Sequence, residues 1–369
     1  MTVDEGRSVA DTIPDEPLGS HVLQLKITDV IAETDDSRSL VFGIPDGPDD
    51  PGIPADRLKY SPGQFLTLRI PSDRTGSVAR CYSLCSSPFT DDSLAVTVKR
   101  TADGYASNWL CEHAHPGMRV HVLAPSGTFV PKTLDTDFLL MGAGSGITPM
   151  LSIAKSALSQ GSGKVTLLYA NRDEKSVIFG GALRELAAKY PDRLTVVHWL
   201  ESVQGLPSTV ALAQLAAPYT DRQVFICGPG PFMQASRDAL ESLQVPSAQV
   251  HLEVFKSLDS DPFAAVTIED APDGEEAAPP ATLTVELDGE KHTLEWPRHV
   301  KMLDLLLDKG LDAPFSCREG HCGACACNVV SGEVSMEVND VLEPVDLAEG
   351  LVLGCQAHPV TDSVEVTYD

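Results

Sequence analysis

The sequence predicts a multidomain chain of mixed class: an antiparallel β-barrel, then a parallel α/β domain, then a small mixed domain at the C-terminus. Three observations predict it. Short β-like runs punctuated by turn residues fill the first part of the chain. Strand-like and helix-like segments then alternate, the rhythm of a parallel sheet covered on both faces. A stretch rich in Pro, Ala and acids finally sets the C-terminal part off from the rest. At 369 residues the chain is long enough for two or three separate cores.

Residues 1–20 open with MTVDEGRSVADTIPDEP, acidic, polar and without an apolar core, which reads as a loose tail rather than a secretory signal. Residues 21–131 carry the β-like runs HVLQLKITDVI, SLVFGI, GQFLTLRI, LAVTVKR and RVHVLAPSG. Over residues 132–260, DFLLMGAG precedes helix-like PMLSIAKSALSQ, KVTLLYANR precedes GALRELAAKY, RLTVVHWL precedes STVALAQLAA, and QVFICGPG precedes PFMQASRDALESL. Residues 261–281, DPFAAVTIEDAPDGEEAAPPA, have no apolar period and read as a linker. In residues 282–369, TLTVELDGEKHTLEWP predicts a hairpin turning at Asp288-Gly289, and KMLDLLLDKGL predicts a helix ending near Gly310.

Composition narrows the functional classes. No run of about 18 apolar residues exists, so a membrane span is not expected. The net charge is −26, of which residues 261–369 carry −18. Such a surface repels nucleic acid and anionic membrane and attracts a basic partner. Nine cysteines without a route to an oxidising compartment read as thiols or metal ligands of a cytoplasmic protein.

The stretch FSCREGHCGACACNV concentrates four of those cysteines. Cys317, Cys322 and Cys325 stand as C-x4-C-x2-C, with 29 residues between Cys325 and Cys355, the spacing of plant-type [2Fe–2S] ligands. A negatively charged cluster needs backbone N–H groups pointing inward, and Gly320, Gly323 and Ala324 let the backbone come close. A zinc site usually shows two close Cys or His pairs, and only one is well spaced here. A Rieske centre needs two histidine ligands, whereas His321 stands alone. Cys327, two residues past Cys325, reads as buried filler.

Two further stretches are less specific. GAGSGITP, from Gly142, follows an apolar strand and opens a helix, so its amides can cradle a pyrophosphate, although a purely structural turn has the same composition. In VFICGPGPFM, Cys227-Gly228-Pro229 sits at the C-terminal end of a late strand, the side on which open α/β sheets bind ligands, although a lone cysteine there is ordinarily a core residue. RCYSLCSSP, from Arg80, offers an arginine for a phosphate and a tyrosine and serine for a flat ring, or else a strand with a polar face.

Taken together and in this order, RCYSLCSSP, GAGSGITP, CGP and the cysteine loop resemble the ferredoxin–NADP reductase-like superfamily of flavin reductases. The likeness is to the branch that carries its ferredoxin domain at the C-terminus, and it covers nearly the whole chain from about residue 21. It implies a flavin-binding β-barrel over 21–131, an NAD-binding α/β domain over 132–260 and a β-grasp [2Fe–2S] ferredoxin domain over 282–369. It implies that Arg80 meets a flavin phosphate, Tyr82 the ring and Ser83 its reactive nitrogen, with Gly104 and Ser107 as further phosphate contacts. Lys99, in the same VKRTADG stretch, joins this cofactor-binding set. NADH falls to Gly142, Gly144, Gly146, Thr148, Pro149, Arg172, Gly228 and Pro229, with Cys227 beside the nicotinamide. Glu253 and Phe255 approach the flavin, and Cys317, Cys322, Cys325 and Cys355 ligate the cluster. The implied flavin is FAD rather than FMN.

Within that superfamily the runs GQFLTLRIPSDRTGSVARCYSLCSSP, VQGLPS and VHLEVFKSLDSDPF resemble the reductases that serve actinobacterial steroid 9α-hydroxylation. The reductases of phenylacetyl-CoA epoxidase and of aromatic-ring oxygenases share much of the plan. The implied partner is a Rieske-type terminal oxygenase component, and the implied state is a monomer. NAD(P)H gives two electrons at once and a [2Fe–2S] centre accepts one, so a flavin is needed between them. Asp173 and Glu174 follow a strand where the adenosine ribose is expected and oppose a 2′-phosphate, which favours NADH, although Arg172 beside them pulls the other way. Two other classes compete: an iron–sulfur redox sensor, disfavoured by the acidic surface, and a free-standing flavin reductase with a merely structural ferredoxin domain. Glu319, in the cluster loop, and Glu337 are candidate docking charges for a basic partner face.

Overall fold

Six strands build the first unit of the computed structural model, which describes residues 18, 21–45, 52–266, 268, 279–342 and 344–368. They are β1 (Leu23–Thr34), β2 (Ser37–Gly43), β3 (Phe65–Ser72), β4 (Gly76–Ser83), β5 (Leu94–Lys99) and β6 (Arg119–Val122). Strands expose alternate residues to alternate faces, and Leu23, Leu25 and Ile27 of β1 meet Leu40, Phe42, Leu68, Ile70, Val96 and Val120 in one buried cluster. The antiparallel order is β4-β3-β6-β1-β2-β5. The two outer strands meet where Leu84 bridges Val96 and Cys85 N donates to Ala95 O at 2.9 Å, which closes the barrel. Helix α1 (Tyr105–His113) adds Ala106 and Leu110 to the same core.

The second unit alternates β7 (Phe138–Ala143), α2 (Ile147–Gln160), β8 (Val165–Asn171), α3 (Gly180–Lys189), β9 (Leu194–Leu200), α4 (Glu201–Gln204), α5 (Thr209–Ala216), β10 (Gln223–Cys227), α6 (Gly230–Ser242) and β11 (Val250–Glu253). Every residue of β7 and β8 is buried, as expected for central strands of a sheet covered on both faces. The strands are all parallel, in the order β11-β10-β7-β8-β9. The direction of winding therefore reverses at β7. Ligands of such sheets bind at the reversal, outside the carboxyl ends of the two strands concerned, which are β7 and β10.

The third unit holds β12 (Ala281–Leu287), β13 (Glu290–Trp296), α7 (Met302–Asp308), β14 (Ala326–Ser331), β15 (Val334–Met336), α8 (Pro344–Ala348), β16 (Leu351–Leu353), β17 (Ala357–Pro359) and β18 (Ser363–Thr367). The β12–β13 hairpin turns through Asp288 and Gly289 with φ of 53° and 76°, the two left-handed positions of a type I′ turn. Helix α7 ends before Gly310, whose φ of 75° stops it. A five-stranded mixed sheet, β13-β12-β18-β14-β16, packs around Trp296, Met302, Leu303 and Leu306.

This unit is seated on the barrel. Ala79 and Leu123 of the barrel belong to the same apolar cluster as the third unit's core. Thr67 Oγ1 lies 2.6 Å from Ser316 Oγ, His21 packs edge-on against Phe315, and Arg57 pairs with Asp312 at 3.1 Å. Two details differ from the sequence expectation. Leu18, within the segment read as a loose tail, bridges Ala264, while residues 1–17 lie outside the described set. The segment read as a linker begins with packed residues: Phe263 is fully buried, and Asp261 accepts from Arg69 and Ser77 of the barrel. Most of its remainder, 267 and 269–278, also lies outside the described residues. A buried aromatic ring removes a large apolar area from water, so Phe263 anchors a run whose average composition reads as unstructured.

Candidate functional site

The four cysteines of the C-terminal loop stand as two pairs. Cys317 N donates to Cys322 Sγ at 3.5 Å, and Cys355 N donates to Cys325 Sγ in the same way. Two pairs of thiols match the four-cysteine ligand set of a [2Fe–2S] cluster. The backbone supplies the expected donors. Glu319 N and His321 N point at Cys317 Sγ at 3.3 and 3.4 Å, Ala324 N at Cys322 Sγ at 3.5 Å, and Cys355 N at Cys325 Sγ at 3.4 Å. Gln356 Nε2 adds a side-chain donor to Cys355 Sγ at 3.5 Å. Gly323, with φ of 70°, leaves no room for a side chain, because a Cβ there would stand 2.8 Å from Thr128 Cγ2 of the barrel. The loop's glycine is thus demanded by the docking of two domains as well as by its dihedral. Cys327, read as filler, is buried on β14, and desolvation pushes its thiol up to about 12.

On the barrel, β4 presents the next group. Ser83 is 3% exposed, and its Oγ has no hydrogen-bond partner among the described residues. An enclosed hydroxyl left unpaired costs about 1–3 kcal/mol, so the site fits a ligand atom supplied from outside the chain. Arg80 donates to Ala79 O and Leu258 O, which ties β4 to the segment leading into the third unit. Gly104 is the N-cap of α1 and carries no side-chain cap, so the first amides of that helix stay open toward an anion. The Ser107 hydroxyl is committed within its own loop, to Thr101 Oγ1 at 2.9 Å and Thr101 N at 3.2 Å. The hydroxyl braces the loop that leads into α1.

In the second unit, the glycine-rich loop and the CGP turn meet at the reversal of the sheet. Cys227 pairs in register with Gly142 on one side and Glu253 on the other. A Cβ on Gly146 would stand 2.2 Å from Cys227 O, so only glycine lets α2 start this close to β10. Gly144 takes φ of 54°, and its carbonyl accepts from Tyr169 Oη at 3.0 Å, a brace the sequence did not announce. The Thr148 hydroxyl donates to Ser145 O at 3.0 Å, and Pro149 is buried in the first turn of α2. Both residues shape the loop. Helix α2 is preceded by a short 3-10 turn over Gly144–Gly146, into which Ile147 N donates, and no side chain caps either start. Pro229 is the N-cap of α6, and Gly228 adopts φ of 154°. Lys99, at the end of β5, reaches from the barrel toward Gly144, its Nζ 3.9 Å from where a Cβ there would stand.

The three units converge around Glu253 and Cys81. Burial drives the Cys227 thiol well above its ordinary range, so Cys227 is a neutral thiol. Glu253 Oε2 is enclosed with no partner among the described residues, and desolvation pushes this carboxyl up to about 8. A neutral carboxylic acid at pH 7 is therefore placed next to Cys227. Burial raises the thiol of Cys81, on β4, to about 12. Phe255, two residues past β11, is about half exposed. Cys81, Thr67 and Ser316 were not singled out from sequence, yet they join the barrel to the cluster loop: Thr67 Oγ1 lies 3.3 Å from Cys81 Sγ and 2.6 Å from Ser316 Oγ.

Comparison with known proteins agrees with this arrangement. Three family models match in series: an oxidoreductase FAD-binding domain over residues 24–130, an oxidoreductase NAD-binding domain over 140–238 and a 2Fe-2S iron-sulfur cluster binding domain over 285–360. The ferredoxin reductase component of 3-ketosteroid-9-alpha-monooxygenase from Mycobacterium tuberculosis is 73% identical over 361 residues, covering 98% of this chain and 100% of that protein. A 1,2-phenylacetyl-CoA epoxidase component from Escherichia coli is 34% identical, over 94% of this chain and 97% of its own. Among solved structures, phthalate dioxygenase reductase superposes with a TM-score of 0.53 at 23% identity, over 94% of this chain and 98% of that one, a likeness of fold.

Proposed function

The chain belongs to the family of ferredoxin reductase components of 3-ketosteroid-9-alpha-monooxygenase, and from that premise we propose how its own residues carry the electrons and to what partner. It is an NADH-dependent oxidoreductase that uses FAD and a [2Fe–2S] cluster and serves an oxygenase. When bound, FAD accepts an electron pair and releases electrons singly, which matches NADH to a one-electron cluster.

The residues divide the work by domain. The uncapped glycine-rich turn Gly144–Gly146 ahead of α2 holds the pyrophosphate of NADH, and Lys99 neutralises it from the barrel side. Cys227 and Gly228 give the nicotinamide a small, uncharged wall. Ser83 donates its unpaired hydroxyl to the flavin ring, Tyr82 lies along the ring, and Arg80 with the start of α1 takes the flavin phosphates. Glu253, protonated at neutral pH, keeps charge off this junction. Cys317 with Cys322, and Cys325 with Cys355, hold the two irons. The observation that carries the reading is the join at Cys81, a β4 residue between Arg80 and Tyr82: its Sγ lies 3.3 Å from Thr67 Oγ1, which lies 2.6 Å from Ser316 Oγ, the neighbour of Cys317 in the cluster loop.

The acceptor is a Rieske-type oxygenase component that presents a basic face to the acidic ferredoxin domain, and the reductase acts as a cytoplasmic monomer. No helix among the described residues is long and apolar enough to cross a membrane. Charge-guided docking weakens with salt, because the Debye length falls from about 10 Å at 0.1 M to about 3 Å at 1 M. The second-order rate of oxygenase reduction should fall as ionic strength rises, while NADH oxidation by an uncharged quinone stays level. A flat or rising oxygenase curve would mean that docking is apolar and that the acidity serves solubility.

A further inference from the structure

We propose that Asp36, in the turn between β1 and β2 of the barrel, is a specificity-determining residue that excludes a 2′-phosphorylated dinucleotide by occupying Arg172 of the NAD-binding domain. The inference rests on the reading that the adenosine ribose lies at the carboxyl end of β8. Arg172 follows β8 directly and is the group that on sequence alone argues for a 2′-phosphate, since guanidinium binds phosphate bidentately. In the structure its Nη2 lies 2.8 Å from Asp36 Oδ2. Lys99 Nζ stands 3.9 Å from the same oxygen.

Asp36 is held in place for this. Its Oδ1 accepts from Thr34 Oγ1 at 2.8 Å and Ser37 Oγ at 3.2 Å, and its carbonyl accepts from Arg100 N at 2.7 Å. Asp173, the other charge at the end of β8, is engaged elsewhere, since its carboxylate caps the following turn by accepting from Ser176 N at 2.9 Å. A 2′-phosphate arriving at Arg172 would have to displace Asp36 and remain beside its charge, as well as that of Asp173. A ribose with a free 2′-hydroxyl needs neither change. The discriminating contact is thus supplied from the flavin-binding barrel, 136 positions away in sequence from the arginine it neutralises.

The test compares adenosine 2′,5′-bisphosphate with adenosine 5′-monophosphate by calorimetry on the intact flavin- and cluster-loaded protein. The kcat/KM ratio for NADPH over NADH is measured alongside. In Asp36→Asn, which keeps an acceptor for Thr34 and Ser37, both ratios should shift about fivefold toward the 2′-phosphate, the worth of one partly exposed ion pair. The shift should vanish when Arg172→Ala is the background. An unchanged ratio in Asp36→Asn, or an equal shift without Arg172, overturns the proposal while leaving the NADH site intact. If Arg172→Ala and Asp173→Ala both leave the two nucleotides' affinities unaltered, the ribose is not at β8, and the underlying reading falls with the proposal.

Discussion

Replacing Glu253 with Gln tests the electrostatic logic of the junction. Glu253 closes β11 beside Cys227, its Oε2 is enclosed without a partner among the described residues, and desolvation lifts its carboxyl from 4.5 to about 8. Between those values the folded protein retains a proton that the unfolded chain has released. Stability must therefore fall as pH rises through this window, by up to about 1.4 kcal/mol per pH unit. Below pH 4.5 the group contributes nothing, and above pH 8 the penalty levels off at no more than about 5 kcal/mol. Glu253 keeps some surface exposure, so relaxation and water reduce the effect, and about 2 kcal/mol between pH 5.5 and 7.5 is the working expectation. Glutamine keeps the shape and removes the titration. Urea midpoints of the flavin-loaded protein, followed by tryptophan fluorescence with flavin release recorded separately, should show the Gln variant gaining on the parent steadily as pH rises. Parallel curves would mean that Glu253 is ionised and solvated, and the neutral junction would be refuted.

Two other outcomes follow from the same geometry. Cys322→Ala should abolish the visible absorption of the iron–sulfur cluster while NADH still reduces the flavin, and Cys327→Ala should keep the cluster, because its thiol is buried on β14 outside the two pairs; loss of the cluster in Cys327→Ala alone would reverse the ligand assignment. Cys227→Ala should slow flavin reduction several-fold at saturating NADH in stopped flow without loss of FAD, and an unchanged rate would return Cys227 to the role of a core residue.

What the sequence announced and what it hid divide by range. The Asp288-Gly289 turn is legible because a type I′ hairpin asks for left-handed residues at two adjacent positions, and it is found with φ of 53° and 76°. The grouping of Cys317, Cys322 and Cys325 is legible because one loop sets their spacing locally, and the fold brings Cys355 N to 3.4 Å from Cys325 Sγ. The strand–helix alternation is legible because each half-turn of the fold repeats the same pattern. By contrast, Phe263 sits in a run of acids and prolines whose mean composition conceals a single anchoring ring. Arg172 pointed toward a 2′-phosphate because its neutralising partner, Asp36, lies in another domain. Tyr169 reads as a core strand residue, and only the approach of the 142–146 loop turns its hydroxyl into a brace for Gly144. Such contacts depend on how domains dock and on loop geometry, for which no periodic signal exists.

The acidic surface shows the same division and bears on how the partner finds it. Glu319 and Glu337 were the natural candidates for docking charges, yet both are tied within the chain. Glu319 Oε1 accepts from Asp259 N at 2.9 Å and from Ser260, clasping the cluster loop to the segment after β11. Glu337 pairs with Lys301 at 2.9 Å and with His358 at 3.1 Å, which holds its carboxyl below the usual range. Asp340 is shared between Lys256 and His321. Reversing any of these charges would break an internal clasp as well as alter the field, so a slower electron transfer in such a variant would not distinguish docking from damage. Internal pairs cancel only themselves. Residues 261–369 still hold 18 more acids than bases, and a partner approaching from beyond a Debye length senses that excess rather than any single carboxylate. Ionic strength acts on the excess directly, which is why the salt dependence of oxygenase reduction reads the docking field and a point reversal at Glu319 or Glu337 does not.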